Sequence, residues 1–233
     1  MTGTTFTDPS LPGVELLFDG DAIRDLLTRE LKARGDAAIV ACRPSYVRYK
    51  PGTSCLVAYD LTIRHDGIDT THRAHIKTFA DDRGRRRMAN RKLEKLVERS
   101  TAEYGDPGVD WVTYLPELHG MFSIFPVDYD LRSLVKVATP DSAEKSLRRS
   151  IDAPKIRLVD PPELIRYKPG RKALFRYALD GCDQRAAYGK IHTDDRTGRI
   201  AHATATLRDA GLVTPAVLGT LANLNFIVHE EAP

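Results

Sequence analysis

One nine-residue stretch occurs twice, and that repetition constrains the fold more than any other feature of the chain. Pro44-Ser45-Tyr46-Val47-Arg48-Tyr49-Lys50-Pro51-Gly52 returns 118 residues later as Pro162-Glu163-Leu164-Ile165-Arg166-Tyr167-Lys168-Pro169-Gly170, with Arg-Tyr-Lys-Pro-Gly identical in both. Beyond the turn, Val57, Tyr59 and Leu61 keep the same offset from Phe175, Tyr177 and Leu179. Apolar residues at alternate positions line one face of a half-buried strand in each copy. Further on, Lys77-Thr78-Phe79-Ala80-Asp81-Asp82-Arg83 aligns with Lys190-Ile191-His192-Thr193-Asp194-Asp195-Arg196, the offset falling to 113 because the second hairpin is shorter. Two similar units are therefore expected.

Each unit reads as strand, Lys-Pro-Gly turn, strand, polar turn, strand ending in Lys, helix and two closing strands. Proline fixes φ at the first central turn position and glycine supplies a positive φ at the second. Asp66-Gly67 and Asp180-Gly181 are hairpin signals between the next two strands. The first unit's helix is expected over residues 82–103, with Ala89, Leu93, Leu96 and Val97 on one stripe. The second is expected over 198–210, with Ile200, Thr204 and Leu207 and a stop at Gly211. Upstream, Asp21 is expected to cap a helix whose stripe is Ile23, Leu26, Leu27 and Leu31 and which Gly35 ends. Between the units, residues 131–151 read as two short helical pieces interrupted at Pro140. The expected class is α+β, arranged as an N-terminal helical extension (1–35), a first unit (36–128), a helical linker (129–154) and a second unit (155–233).

That order of elements is similar to the small ATP-binding lobe of the protein-kinase-like superfamily. More narrowly, Arg166-Tyr167-Lys168-Pro169-Gly170-Arg171-Lys172 followed by Tyr188-Gly189-Lys190 resembles bacterial phosphotransferases of the aminoglycoside phosphotransferase type. The first copy, with Ala74-His75-Ile76-Lys77, resembles the extra lobe-like domain that some long members carry in front. The resemblance implies a tandem pair of kinase-small-lobe-like units, each an antiparallel sheet plus one helix, and ATP as the nucleotide. It places Lys190 as the cation beneath the phosphates, and the hinge at residues 228–233, with Glu230 as a nucleotide contact. A triphosphate needs a hairpin lid over it and a fixed cation beneath it. Lys168, Arg171 and Lys172 add charge near the hairpin tip, where the backbone around Gly170 could come close to phosphate oxygens. The plainer alternative is a tight turn with solvated bases.

Kinase-type transfer requires a His-x-Asp-x-x-x-x-Asn loop and a later metal-binding Asp. The only asparagines are Asn90, Asn223 and Asn225, and the residues five before them are Arg85, Leu218 and Thr220. No catalytic and no metal-binding residue is therefore expected, and magnesium enters only if a catalytic lobe is supplied. The functional expectation is the N-terminal nucleotide-binding portion of an aminoglycoside-phosphotransferase-like small-molecule kinase. The alternative is a non-catalytic, pseudokinase-like binding or regulatory module for a protein or nucleotide partner. Expected partners are a nucleotide and a catalytic lobe or partner protein in trans.

Composition narrows the rest. With 35 Lys and Arg against 32 Asp and Glu, the net charge of +3 is too slight to mark an obligate nucleic-acid binder. Eight basic residues crowd Arg83–Arg99, but Glu94 and Glu98 share the segment and no aromatic is interleaved, which favours a solvated helix face over nucleic acid. Cys42, Cys55 and Cys182 have neither disulfide nor zinc spacing, which suits a reducing cytoplasm. A polar N-terminus and no long apolar run leave no expectation of a membrane segment.

Overall fold

Turn chemistry sets the two long hairpins from which the rest of the fold is built. In the first, β1 (Ala38–Lys50) and β2 (Ser54–His65) meet at the Lys-Pro-Gly turn. There Gly52 sits at φ 60° and the Thr53 N–H donates to the Lys50 carbonyl at 3.0 Å. β2 continues into β3 (Ile68–Phe79) through Asp66 and Gly67, both at positive φ, the backbone twist that a two-residue hairpin requires. After α2 (Arg83–Met88) and α3 (Arg91–Tyr104), β4 (Val112–Leu115) and β5 (Gly120–Ile124) complete a five-stranded antiparallel sheet ordered β1-β2-β3-β5-β4.

This computed structural model describes residues 6–232, which fall into two units, 6–129 and 130–232. The second unit begins with α4 (Val135–Ala138) and α5 (Pro140–Ile151). There follow β6 (Arg157–Leu158), β7 (Glu163–Lys168), β8 (Lys172–Asp180), β9 (Ala186–His192), α6 (Thr197–Asp209), β10 (Val217–Leu221) and β11 (Phe226–Glu230). β8 is flanked by β7 along its first half and by β6 at its end, and the remaining order is β8-β9-β11-β10. The path β7-β8-β9-β11-β10 repeats β1-β2-β3-β5-β4 strand for strand. The class is α+β, with two antiparallel sheets and, among the described residues, six α-helices.

Two helix expectations need correction. The helix foreseen over 82–103 is broken at Ala89-Asn90, because Asn90 takes an extended conformation and its side chain accepts from the Lys92 N–H, starting α3 afresh. The cap of α1 (Gly20–Glu30) is Asp19, whose carboxylate accepts from the N–H groups of Asp21 and Ala22. Asp21 lies inside the first turn, where its charge suits the helix dipole. The helix ends at Glu30, and Gly35, at φ 59°, serves a later turn. Gly20 is required for packing: a Cβ there would meet the Cys42 carbonyl oxygen at 2.2 Å, so only glycine lets α1 start this close to β1.

The leading helices are part of the repeat. Tyr59 and Tyr177 are fully buried, and each donates its hydroxyl at 2.8 Å to a carbonyl in the helical segment before its sheet, Leu17 and Val137 respectively. Those carbonyls lie 120 residues apart. At the same spacing Leu11, Val14, Leu17, Ile23 and Leu27 are buried in one unit, and Leu131, Leu134, Val137, Ala143 and Leu147 in the other. Residues 6–35 and 130–154 thus occupy equivalent places, each leading into its own sheet. Cys42 and Cys55 are buried and free, burial pushing their thiols up to about 12 and about 11. No helix among the described residues is long and apolar enough to cross a membrane.

Candidate functional site

The alternation of β9 decides where chemistry can sit in the second unit. Ala187, Gly189 and Ile191 face the buried side with Phe175, Tyr177 and Phe226, so Tyr188, Lys190 and His192 share the opposite face. Gly189 is the close approach that allows this, since a Cβ there would lie 2.5 Å from the Phe226 ring and 2.6 Å from that of Tyr177. Across the sheet Tyr188 pairs with Arg176 and His229, Lys190 with Leu174 and Ile227, and His192 with Lys172.

A cleft of about 450 Å3 opens on this face. Leu174, Tyr188, Pro215 and His229 supply its apolar and aromatic surface, Glu230, Glu231 and Ala232 edge it beside Tyr188 and Pro215, and Lys190 lines it further along β9. Tyr188 is steadied by donating its hydroxyl to Glu231 at 3.2 Å. Burial holds the His229 imidazole below its ordinary pKa, and the Lys190 charge adds to this.

Along β9 from Lys190 toward the hairpin tip, cations outnumber carboxylates. Lys190 is half-buried, and among the described residues no carboxylate lies within ion-pair distance of it. Burial, then the charges of Lys172 and Arg196, hold its pKa below the ordinary lysine value. Lys172 is lowered likewise, by burial first and then by Lys168, Arg166, Arg171 and Arg196. Lys168 and Lys172 stand directly opposite each other across the hairpin, a like-charge pairing that destabilises a sheet unless something neutralises it. Arg196 has its own partner, Asp194.

Of the positions read from the sequence, Lys190 and Glu230 border the cleft. Lys168, Gly170, Arg171 and Lys172 form the hairpin tip, with Gly170 at φ 62°. Two qualifications come from the hydrogen bonding. The Glu230 carboxylate is already committed, accepting from Arg208 at 3.3 Å and from the Ala216 N–H at 2.7 Å. Lys168 and Gly170 hold contacts of their own. Residues that the sequence reading missed are Tyr188, His229 and Leu174 in the cleft, and His192 and Arg196 beside it. Period-2 alternation along residues 186–192 carried the signal for Tyr188 and His192. The Asp-Asp-Arg motif is structural in both copies. Arg83 pairs with Asp81 as Arg196 does with Asp194, while the Ala80 and Thr193 N–H groups tie the strand ends to Thr53 and Arg171 in the hairpin tips.

His192 stands out within the cluster. It is 7 % exposed, and its Nε2 is buried without a hydrogen-bond partner among the described residues. Burial, followed by Lys190 and Arg196, pushes its pKa down to about 4 against the opposing pull of Asp194.

The first unit has the same scaffold with different chemistry. Thr53 and Ser54 replace Arg171 and Lys172. The Gly52 N–H and the Tyr49 hydroxyl both donate to Asp8 at 2.8 Å, so the turn's amide is held by the protein's own carboxylate. Phe79 replaces His192 and is ringed by the cations of Lys77, Arg83 and Arg87 at 5.3, 5.5 and 5.1 Å from its centroid. Among the described residues, the grouping with metal-ligand chemistry is Asp36, His65 and Asp66, also in the first unit, whose donor atoms lie within 4.8 Å of one another. Compared with models of known protein families, with curated proteins and with solved structures, the chain matches none.

Proposed function

We propose that the second unit binds a nucleoside triphosphate such as ATP, and that the chain is the nucleotide-binding portion of an aminoglycoside-phosphotransferase-like small-molecule kinase. The observation that carries this reading is a half-buried Lys190 lining a cleft with an apolar and aromatic surface, with Lys172 near enough to depress its pKa and neither lysine paired with a carboxylate among the described residues. A nucleotide has that same division. Its base would lie against Tyr188 and His229, and its phosphate oxygens would accept charge-assisted hydrogen bonds from the two ammonium groups. Phosphoryl transfer is assigned to no residue of this chain, because the sequence lacks the His-x-Asp-x-x-x-x-Asn set. Transfer would need a catalytic lobe, and magnesium would arrive with the nucleotide.

The test is the rise in melting temperature with millimolar Mg-ATP, which a ligand binding only the folded state must produce. Lys190→Ala is expected to abolish the shift, and Lys77→Ala to keep it. No shift in the wild type, or equal loss in both variants, overturns the assignment. A second reading, a non-catalytic module that docks a partner protein, is favoured by Leu207, Leu212 and Val213, which stand 42 %, 54 % and 85 % exposed at and beyond the end of α6. It requires no response to Mg-ATP.

A further inference from the structure

We infer that His192 is a ligand contact of this site, its imidazole hydrogen-bonding a phosphate oxygen held between Lys172 and Lys190, so that polyphosphate binding takes up a proton. The inference rests on the nucleotide reading above and adds to it a residue and a pH dependence.

A polar atom shut away from water and left unpaired is expensive, and native proteins retain few of them without a reason. His192 carries one on the same strand face as Lys190, two residues away, and directly across from Lys172. The first unit offers a control within the molecule. There the equivalent ring is Phe79, also buried and likewise set among cations, with no nitrogen to satisfy. The scaffold therefore does not need an imidazole at this point. An anion does: a ring that donates in the midst of cations completes a set of donors around phosphate oxygens, which phenylalanine cannot do.

The charges facing His192 are Lys190 on its own strand, Lys172 on β8, and Arg196 and Asp194 in the loop that follows β9. Burial first, and then three cations against one carboxylate, keep the imidazole neutral in the free protein. Several negative charges arriving between Lys172 and Lys190 reverse that balance and raise the pKa from about 4. Between the free value and the raised one the complex holds a proton that the free protein does not. Affinity must then climb as pH falls through that window, by at most about tenfold per pH unit. The lysines are common to the wild type and every His192 variant, so any slope of theirs cancels in a ratio of affinities.

The experiment measures calorimetric dissociation constants for Mg-ATP and for inorganic triphosphate on the full chain, between about pH 8 and about pH 5. Wild type is compared with His192→Phe, the residue the first unit uses, and with His192→Asn, which keeps a donor that does not titrate. Both probes lose charge on acidification in every variant, so the readout is the ratio of affinities. The ratio of wild type to H192F is expected to grow several-fold as pH falls. H192N should lie above H192F at neutral pH without that growth, and the His192 imidazole signal should titrate higher in the complex. A ratio that stays constant with pH, or an imidazole that titrates the same with and without triphosphate, overturns the His192 contact and leaves the nucleotide reading standing. A wild type that binds neither probe at any pH overturns the nucleotide reading itself.

Discussion

Burial and neighbouring cations make the charges of Lys172 and Lys190 harder to hold, and the free protein offers neither a carboxylate partner among the described residues. His192 makes a parallel sacrifice. His192→Phe should therefore stabilise the free protein by about 1 kcal/mol in urea unfolding at neutral pH, since an unpaired buried polar atom gives way to an apolar ring of similar shape. The acid limb supplies a second measurement. In the unfolded chain this imidazole titrates near its ordinary 6.5; in the fold it stays neutral down to about 4. Across that window the unfolded state binds more protons, so stability is greatest above about pH 6.5 and is lost as pH falls toward 4. His229 and His72, both lowered chiefly by burial, contribute with the same sign. Melting temperatures of H192F should fall less steeply with acid than those of the wild type, and parallel curves would count against a neutral buried His192. The lysines were legible in the sequence because a strand-terminal Lys recurs at matched places. For the histidine, alternation gave the strand face but not the burial, because nothing local distinguishes a buried imidazole from an exposed one.

At the level of elements, the hairpins were legible and the helices less so. Pro-Gly and Asp-Gly write their φ requirements into two residues, whereas the break at Asn90 interrupts a stripe in which Leu93 and Leu96 are both buried on α3. Periodicity alone runs straight across it. The equivalence of the two leading helices was hidden for another reason. Ile23 and Leu17 correspond to Ala143 and Val137, so burial is kept while side-chain identity is not. The shared tyrosine bond is the clearest trace of that equivalence, and it makes a paired prediction. Tyr59→Phe and Tyr177→Phe should each cost about 1–2 kcal/mol in chemical denaturation, because each strands a carbonyl in the helical segment beneath its sheet. A cost in one and none in the other would mean that the two contacts are not equivalent. Gly189→Ala should cost about 1–3 kcal/mol by driving a methyl into the rings of Phe226 and Tyr177, although Ile76 fills the matching position of the first unit.

On the scale of the whole molecule, the chain is a repeated unit whose two copies share a scaffold and differ in what they present on the open face of the sheet. Each copy has its own leading helices, so residues 130–233 should melt cooperatively by circular dichroism. Residues 155–233, stripped of α4 and α5, should not, because the ring of Tyr177 and its neighbours would lose the elements they pack on. Cooperative melting of the shorter piece would place the boundary of the unit after α5. The functional difference between the copies is one of charge: the second gathers Lys172, Lys190 and Arg196 around His192, while the first closes its glycine turn with Asp8 and sets its cations on Phe79. The measurement that tests this asymmetry most directly is a backbone amide NMR titration of the intact protein with Mg-ATP. The account predicts saturable shifts at Tyr188, Lys190, His192 and His229 with the neighbourhood of Lys77 unmoved. Shifts that centre on Lys77, or none up to millimolar nucleotide, would contradict it.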